Sequence, residues 1–144
     1  MISTVRELLK EKGNHVWSIE PDASAYEALT IMAEKNIGAL LVMHKGEIVG
    51  VFSERDYARN SIQEDRNNLI VPVGDFMTRN VLYVSPESTM EECMALMTGK
   101  HVRHLPVIDN NRLLGLISIG DVVKRIISAQ KIVISELEKY VPKK

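Results

Sequence analysis

The stretch GVFSERDYA at residues 50–58 returns as GLISIGDVV at residues 115–123. Both copies carry a glycine, two apolar residues, a serine, two variable residues and an aspartate in the same order. The match extends outward from this corner without a gap, so that residues 16–59 align with residues 81–124. The chain therefore contains an internal repeat, and the repeat decides the fold.

Each copy predicts the order strand, helix, strand, strand, helix. The first strands, HVWSI (15–19) and NVLYV (80–84), precede prolines whose missing N–H stops a ladder. The helices that follow open on predicted capping boxes, Ser24-x-x-Glu27 and Thr89-x-x-Glu92. Two apolar strands joined by turn-forming residues then lead into the helix that begins at the repeated corner.

A similar lead-in segment precedes each copy, VRELLK at 5–10 and VGDFMT at 73–78. We predict repeat 1 at 5–62, a linker at 63–72, repeat 2 at 73–128 and a C-terminal helical extension at 129–144. Half a chain of this length is marginal for burying a core alone. We therefore expect an α+β fold in which two β-α-β-β-α repeats pack sheet to sheet about a pseudo-two-fold axis.

Composition narrows the class of protein. Hydrophobic residues make up 45% and charged residues 26%, and the net charge is −1, which argues against nucleic-acid binding. Runs such as IGALLVM (37–43) are too short to cross a bilayer, and the first residues lack the apolar core of a signal peptide. A single cysteine excludes an internal disulfide and favours a reducing compartment, so we predict a cytoplasmic protein without a membrane partner.

Motifs of catalysis are absent from the sequence. It has no P-loop, no G-x-S-x-G and no G-x-G-x-x-G motif. Cys93 lies on the apolar stripe of a predicted helix, which indicates a core residue, and the histidines lack the clustering of a metal site. We predict neither an enzyme nor a metal centre.

The repeated Ser-x-x-Asp corner permits two interpretations. A serine and an acid in the first turn are typical of a helix cap. A helix start after a strand also offers N–H groups to an anion, and a carboxylate there can accept both ribose hydroxyls. The two roles are compatible, and the residues alone leave both open.

The whole pattern resembles a pair of CBS domains, named after cystathionine β-synthase and also called a Bateman module. The segments that carry the resemblance are GALLV, GEIVGVFSERDYAR and RHLPVIDNNRLLGLISIGDVV. The resemblance covers about residues 5–127. The chain is similar in its motifs to stand-alone bacterial members of the family. The resemblance implies a regulatory sensor that binds AMP, ADP, ATP or NAD in two clefts.

The resemblance also implies roles for particular residues. Asp56 and Asp121 would hold ribose, assisted by Thr78, and the hydroxyls of Ser53 and Ser118 would donate to a phosphate or a ribose oxygen. His15, Val16 and Val81 would lie along the adenine. Arg103 and His104 would contact phosphate, whereas their counterparts Gly38 and Ala39 carry no charge. Arg55 stands in the first corner where Gly120 stands in the second, so we predict two unequal sites.

The C-terminal segment predicts a long amphipathic helix, with a break near residue 133. Its apolar stripe outlasts the repeat, so we expect it to be buried either against this module or against a second copy. The resemblance implies the second arrangement, because CBS pairs commonly associate as dimers through their helices, and we favour a homodimer. The leading hypothesis is an adenosine-nucleotide-binding regulatory module that signals to a separate effector protein. The alternative is a structural or interaction protein whose clefts are degenerate and bind nothing.

Overall fold

The computed structural model describes residues 3–61 and 68–140. Residues 62–67 of the predicted repeat boundary and linker, and residues 141–144 of the predicted extension, lie outside this range. The elements in chain order are α1 (Val5–Lys12), β1 (Ser18–Ile19), α2 (Ala25–Lys35), β2 (Ala39–His44), β3 (Glu47–Ser53), α3 (Glu54–Ser61), α4 (Met90–Lys100), β4 (His104–Asp109), β5 (Arg112–Ser118) and α5 (Ile119–Glu138).

The chain forms two compact units, each built around one repeated corner. The Asp56 unit spans Val16–Leu82. The Asp121 unit combines the residues up to His15 with those from Tyr83 onward. The mixed α+β class predicted from the repeat is confirmed, with strand order β1-β2-β3 in one sheet and β4-β5 in the other.

The two hairpins are copies of each other down to their irregularities. Lys45 and Gly46 have φ of 52° and 80°, and Asn110 and Asn111 have φ of 50° and 62°. Two successive positive φ values are typical of a type I′ turn, which matches the twist of the flanking strands. Each hairpin also shifts register at the same place, after Val42 and after Val107. The repeat therefore extends from residue types to backbone geometry.

Each lead-in segment packs in the unit of the other repeat. In the Asp121 unit the Val5 amide donates to the carbonyl of Ser88 (2.8 Å), and in the Asp56 unit the Val73 amide donates to Ala23 (2.7 Å). Val5 and Val73 are both fully buried. The repeats read from the sequence and the compact units of the fold therefore do not coincide.

Apolar side chains fill both units at matching positions. The core of the Asp56 unit includes Met32, Leu40, Phe52, Val73 and Phe76. In the Asp121 unit the buried residues include Val5, Leu8, Met97, Leu105 and Ile117. Burial of such side chains contributes about 1.5–3 kcal/mol each and holds the strand ends where the corners form.

Both predicted first strands are shorter than expected, since β1 covers only Ser18–Ile19 of the predicted 15–19. Within 80–84 only Val84 pairs, in an isolated parallel bridge to Val107. In the Asp56 unit the Leu41 amide donates to the carbonyl of Trp17 and so extends the ladder of β1 (3.2 Å). The equivalent position in β4 is Pro106, which has no N–H, so this ladder stops at Val84.

Two further details differ from the sequence prediction. The predicted break near residue 133 is wrong. Helix α5 runs unbroken from Ile119 to Glu138, because no glycine or proline follows its first turn. The full capping box forms at Thr89, whereas at α2 the structure shows one half of it, the bond from the Glu27 amide to Ser24 Oγ (3.1 Å). Within residues 3–61 and 68–140, no helix has the length and apolar character that a bilayer span requires.

Candidate functional site

Both corners form where a strand runs directly into a helix. β3 ends at Ser53 and α3 begins at Glu54, while β5 ends at Ser118 and α5 begins at Ile119. The first helical amide donates to the carbonyl just before the neighbouring strand, from Glu54 to Gly38 (3.1 Å) and from Ile119 to Arg103 (2.8 Å). These bonds hold each helix start against the beginning of β2 or β4.

At each corner the aspartate is turned back onto its serine. The Ser53 amide donates to Asp56 Oδ2 (3.2 Å), and the Asp56 amide donates to Ser53 Oγ (3.1 Å). The same pair of bonds joins Ser118 and Asp121, at 2.8 and 3.1 Å. The helix-cap interpretation therefore holds at both corners.

The group facing the aspartate differs between the corners. Thr78 Oγ1 lies 3.3 Å from Asp56 Oδ1 and 3.4 Å from Asp56 Oδ2. At the second corner Lys12 Nζ lies 2.5 Å from Asp121 Oδ2. One acid therefore faces a neutral hydroxyl, and the other faces an ammonium.

The lysine also replaces a backbone contact. In the Asp56 unit the Thr78 amide donates to the Val51 carbonyl (2.8 Å), and the Val51 amide donates to the Thr78 carbonyl (3.0 Å). The position equivalent to Val51 is Leu116, whose carbonyl accepts from Lys12 Nζ instead (2.6 Å). A single ammonium thus stands where the other corner has both the amide and the hydroxyl of a threonine.

The ion pair changes the chemistry of the second acid. Burial by itself would raise the pKa of Asp121, but the Lys12 ammonium and the Ser118 amide outweigh burial and hold that pKa below its ordinary value. The carboxylate is thus a stable anion whose charge is already balanced within the unit.

The remaining predicted residues divide between the corners. Ala39 begins β2 beside Ser53 and Gly38 comes just before it, while His104 begins β4 beside Ser118 and Arg103 comes just before it. Arg55 and Gly120 are exposed in the first turns of α3 and α5.

Three predicted residues belong to neither helix start. His15, Val16 and Val81 are exposed or half-buried and lie where the chain passes from one compact unit to the other. Their role beside adenine stays a prediction.

Comparison with known proteins identifies the repeat. The sequence model of the CBS domain matches residues 4–62 and 73–128. The chain belongs to the CBS domain family. It is 34% identical to the mitochondrial CBS domain-containing protein CBSX3 of Arabidopsis thaliana, over 96% of this chain and 72% of that protein.

Solved CBS structures agree with this assignment. The crystal structure of the CBS domain protein NE2398 is 47% identical, with a TM-score of 0.82 over 88% of this chain and 99% of that one. The CBS-domain protein ATU1752 from Agrobacterium tumefaciens is 40% identical, with a TM-score of 0.81 over 85% and 98%. Stand-alone CBS proteins are therefore this chain's structural neighbours.

Two more distant CBS structures are informative about their own ligands and assembly. The CBS domain pair of protein MJ0100, 22% identical with a TM-score of 0.76 over 90% of this chain and 99% of that one, was solved with 5′-methylthioadenosine and S-adenosyl-L-methionine. A CBS-CP12 protein from bloom-forming cyanobacteria, 26% identical with a TM-score of 0.75 over 85% and 71%, is hexameric.

Sequence reasoning missed Lys12 as a residue of the second CBS corner. Aligning the lead-in segments matched Thr78 with Lys10 by phase or with Gly13 by strict offset. The alignment that pairs Leu9 with Met77 is correct for the packing residues, because Leu9 approaches Gly115 in the same way that Met77 approaches Gly50. However, α1 continues to Lys12 at its C-terminal end, and this long side chain reaches the corner. A basic residue in the last turn was the available signal.

Proposed function

We propose that this CBS pair is a regulatory module that binds an adenosine nucleotide, AMP, ADP, ATP or NAD, and transmits the binding to a partner protein. The observation that carries the proposal is the Asp56 corner, where a carboxylate already faces a hydroxyl at hydrogen-bond distance. Ribose presents two such hydroxyls, and a carboxylate has acceptor sites for both. The adenosine-containing ligands of the MJ0100 pair add support.

The two corners have different groups available for phosphate. Arg103 is exposed and His104 half-buried at the start of β4, whereas Arg55 is exposed in the first turn of α3. An arginine presents a planar fork that matches phosphate oxygens. The two corners therefore hold nucleotides with different affinity.

Signalling would use the cap itself. A ribose hydroxyl that donates to the carboxylate of Asp56 or Asp121 competes with the serine amide that donates to the same carboxylate at the start of the helix. Ligand can shift the partner's equilibrium only through its different affinity for two states of this module, and helix starts with and without their caps are two such states. The effector is a separate protein of unknown identity, and the cytoplasmic location stays a prediction.

We assign no catalytic role to the chain. Its one thiol is that of Cys93, which is fully buried in α4. Burial, with a smaller contribution from Glu92, raises the pKa of this thiol to about 11, so it is not a nucleophile at neutral pH. Among residues 3–61 and 68–140 no cluster of three His, Cys, Asp or Glu side chains could hold a metal.

The proposed homodimer would use α5. Every residue from Gln130 to Tyr140 is exposed. Ile127, Ile134 and Leu137 lie on one helical face and are 44%, 53% and 62% exposed. Pairing this face with a second copy would remove these apolar side chains from water, which is the main driving force for association.

Ultracentrifugation of a variant carrying Ile134→Glu and Leu137→Glu tests this interface. We expect monomers, because two charges would be buried in an apolar seam. Ile132→Glu is the matched control, since Ile132 is also exposed but lies on the opposite side of the helix. A monomeric wild type, or a hexamer that survives the double variant, would contradict the dimer.

A second candidate function has an observation of its own. Both aspartates already accept hydrogen bonds within the chain, and one has a lysine partner. Such internally satisfied corners suit a structural or interaction protein whose clefts bind nothing.

Ligands that co-purify with the protein separate the two functions. The purified protein is denatured, the released small molecules are identified by mass spectrometry, and the same is done for a variant carrying both Asp56→Asn and Asp121→Asn. We expect an adenosine compound from the wild type and a strongly reduced yield from the variant. Equal yields, or no compound even after incubation with millimolar AMP, ATP and NAD, would favour the interaction protein.

A further inference from the structure

The Lys12–Asp121 pair distinguishes two corners whose capping hydrogen bonds match. Lys12 Nζ contacts Asp121 Oδ2 and the Leu116 carbonyl, at 2.5 and 2.6 Å. The two side chains are 37% and 24% exposed. An ammonium has three N–H donors, so one donor of Lys12 remains available for a further acceptor.

This pair changes what a ribose must displace. At the first corner an incoming hydroxyl competes with Thr78, whose own hydroxyl is neutral and can turn to water. At the second corner it competes with an ammonium, and separating that ammonium from Asp121 leaves a partly buried charge without its partner. A ligand that offers only hydroxyls therefore binds less favourably at Asp121 than at Asp56.

A surface cavity beside Asp121 offers the displaced ammonium a new partner. The cavity has a volume of about 240 Å³, and its wall includes Lys12, Asp121 and Lys124. This volume is below that of a typical pocket for a whole small-molecule ligand, and it suits one part of a nucleotide.

Two further charged residues on the cavity wall, Arg125 and Glu11, are already paired with each other. Arg125 is also bonded to Glu7, at 2.9 Å. Lys124 has no ion pair with any residue that the structure describes, and it lies one turn after Asp121 on α5. Lys124 is therefore available to bind an anion in the cavity, and Lys12 becomes available when a ligand separates it from Asp121.

We infer that Lys12 and Lys124 form a phosphate subsite, which makes the Asp121 corner selective for nucleoside phosphates over unphosphorylated nucleosides. This inference rests on the proposed nucleotide-binding function. When ribose takes the carboxylate of Asp121, the Lys12 ammonium moves from the carboxylate to the phosphate. A phosphorylated ligand thus supplies the partner that the lysine loses, and adenosine does not.

Calorimetric titration with AMP and with adenosine tests the subsite. An Asp56→Asn background weakens the first corner, so that the measured affinities report the second. Lys12→Met removes the ammonium and retains the length of the side chain. Lys10→Met removes the same charge from an exposed position on the same helix and is the matched control.

We expect AMP to bind the background protein at least about tenfold more tightly than adenosine, because charge-assisted hydrogen bonds have this strength. Lys12→Met should reduce that ratio to about threefold or less, through weaker AMP binding and tighter adenosine binding. Lys10→Met should leave the ratio unchanged. Lys12→Arg, which keeps the positive charge, should preserve the preference for AMP.

Two different failures can be distinguished. If AMP and adenosine bind but their affinity ratio is the same with and without Lys12, the subsite is refuted and the proposed function stands. If the wild-type protein binds none of adenosine, AMP, ADP, ATP and NAD at millimolar concentration, the proposed function is refuted and the subsite with it.

Discussion

Replacing Gly50 by alanine should destabilise the Asp56 unit because a backbone segment passes directly over this glycine. An added Cβ would lie 2.5 Å from Met77 Sδ and 2.9 Å from the Thr78 carbonyl oxygen. The methionine side chain can move, but Thr78 is held by two backbone hydrogen bonds to Val51, of 2.8 and 3.0 Å. Relieving the clash strains both bonds.

The expected loss follows from these contacts. Overpacking of this kind costs about 1–3 kcal/mol, and a weakened backbone hydrogen bond adds up to about 1 kcal/mol. We therefore expect Gly50→Ala to lower the free energy of unfolding by about 2–3 kcal/mol. The same shift moves the Thr78 hydroxyl away from Asp56, so nucleotide affinity at that corner should fall as well.

Gly115→Ala is the matched control in the other unit. Its Cβ would meet only the side chain of Leu9, at 2.7 Å from Cδ2, and a leucine end can rotate. We expect a loss of about 1 kcal/mol from urea denaturation followed by circular dichroism. Equal losses in the two variants, or a larger loss for Gly115→Ala, would refute the role assigned to the Thr78 backbone.

Three further predictions concern single residues. Gly99→Ala should raise the free energy of unfolding by about 1 kcal/mol in urea titrations, because its added Cβ meets open space within α4; an unchanged or lower midpoint would contradict this. Cys93 should react with a disulfide reagent at pH 8 far more slowly in the native protein than in urea, since its thiol is buried with a pKa of about 11. The stability advantage of wild type over Asp121→Asn should be complete above about pH 4 and shrink as pH falls through the lowered pKa of Asp121 in the folded state. A stability advantage that grows as the pH falls would contradict a lowered pKa of Asp121 in the folded state.

Most of the architecture could be predicted from the sequence because the turns and helix starts of the repeat are specified by residues that are close together in the chain. Glycine and asparagine at positive φ specify the hairpin turns, and Thr89 with Glu92 specifies a helix start. Such signals act between near neighbours and are visible without a structure. The corners were found for the same reason, because Ser53 and Asp56 are only one helical turn apart.

What the sequence did not reveal depends on contacts between distant segments. The packing of α1 with the strands of the second repeat is set by burial of Val5 and Leu8, which local patterns do not assign to a partner. The pairing of Lys12 with Asp121 follows from that packing. The strand before Val84 could not be excluded from the sequence alone. Its loss depends on its pairing with β4, where Pro106 stands at the position whose amide would have donated to it.

Calorimetric titration of the wild-type protein with AMP, repeated for Asp56→Asn and Asp121→Asn, tests the nucleotide-sensor account most directly. The account predicts measurable binding by the wild type and an affinity lower by about tenfold or more at the corner that loses its carboxylate, since a charged hydrogen bond is removed. Affinities identical in all three folded proteins would contradict it, because the acids would then act only as helix caps.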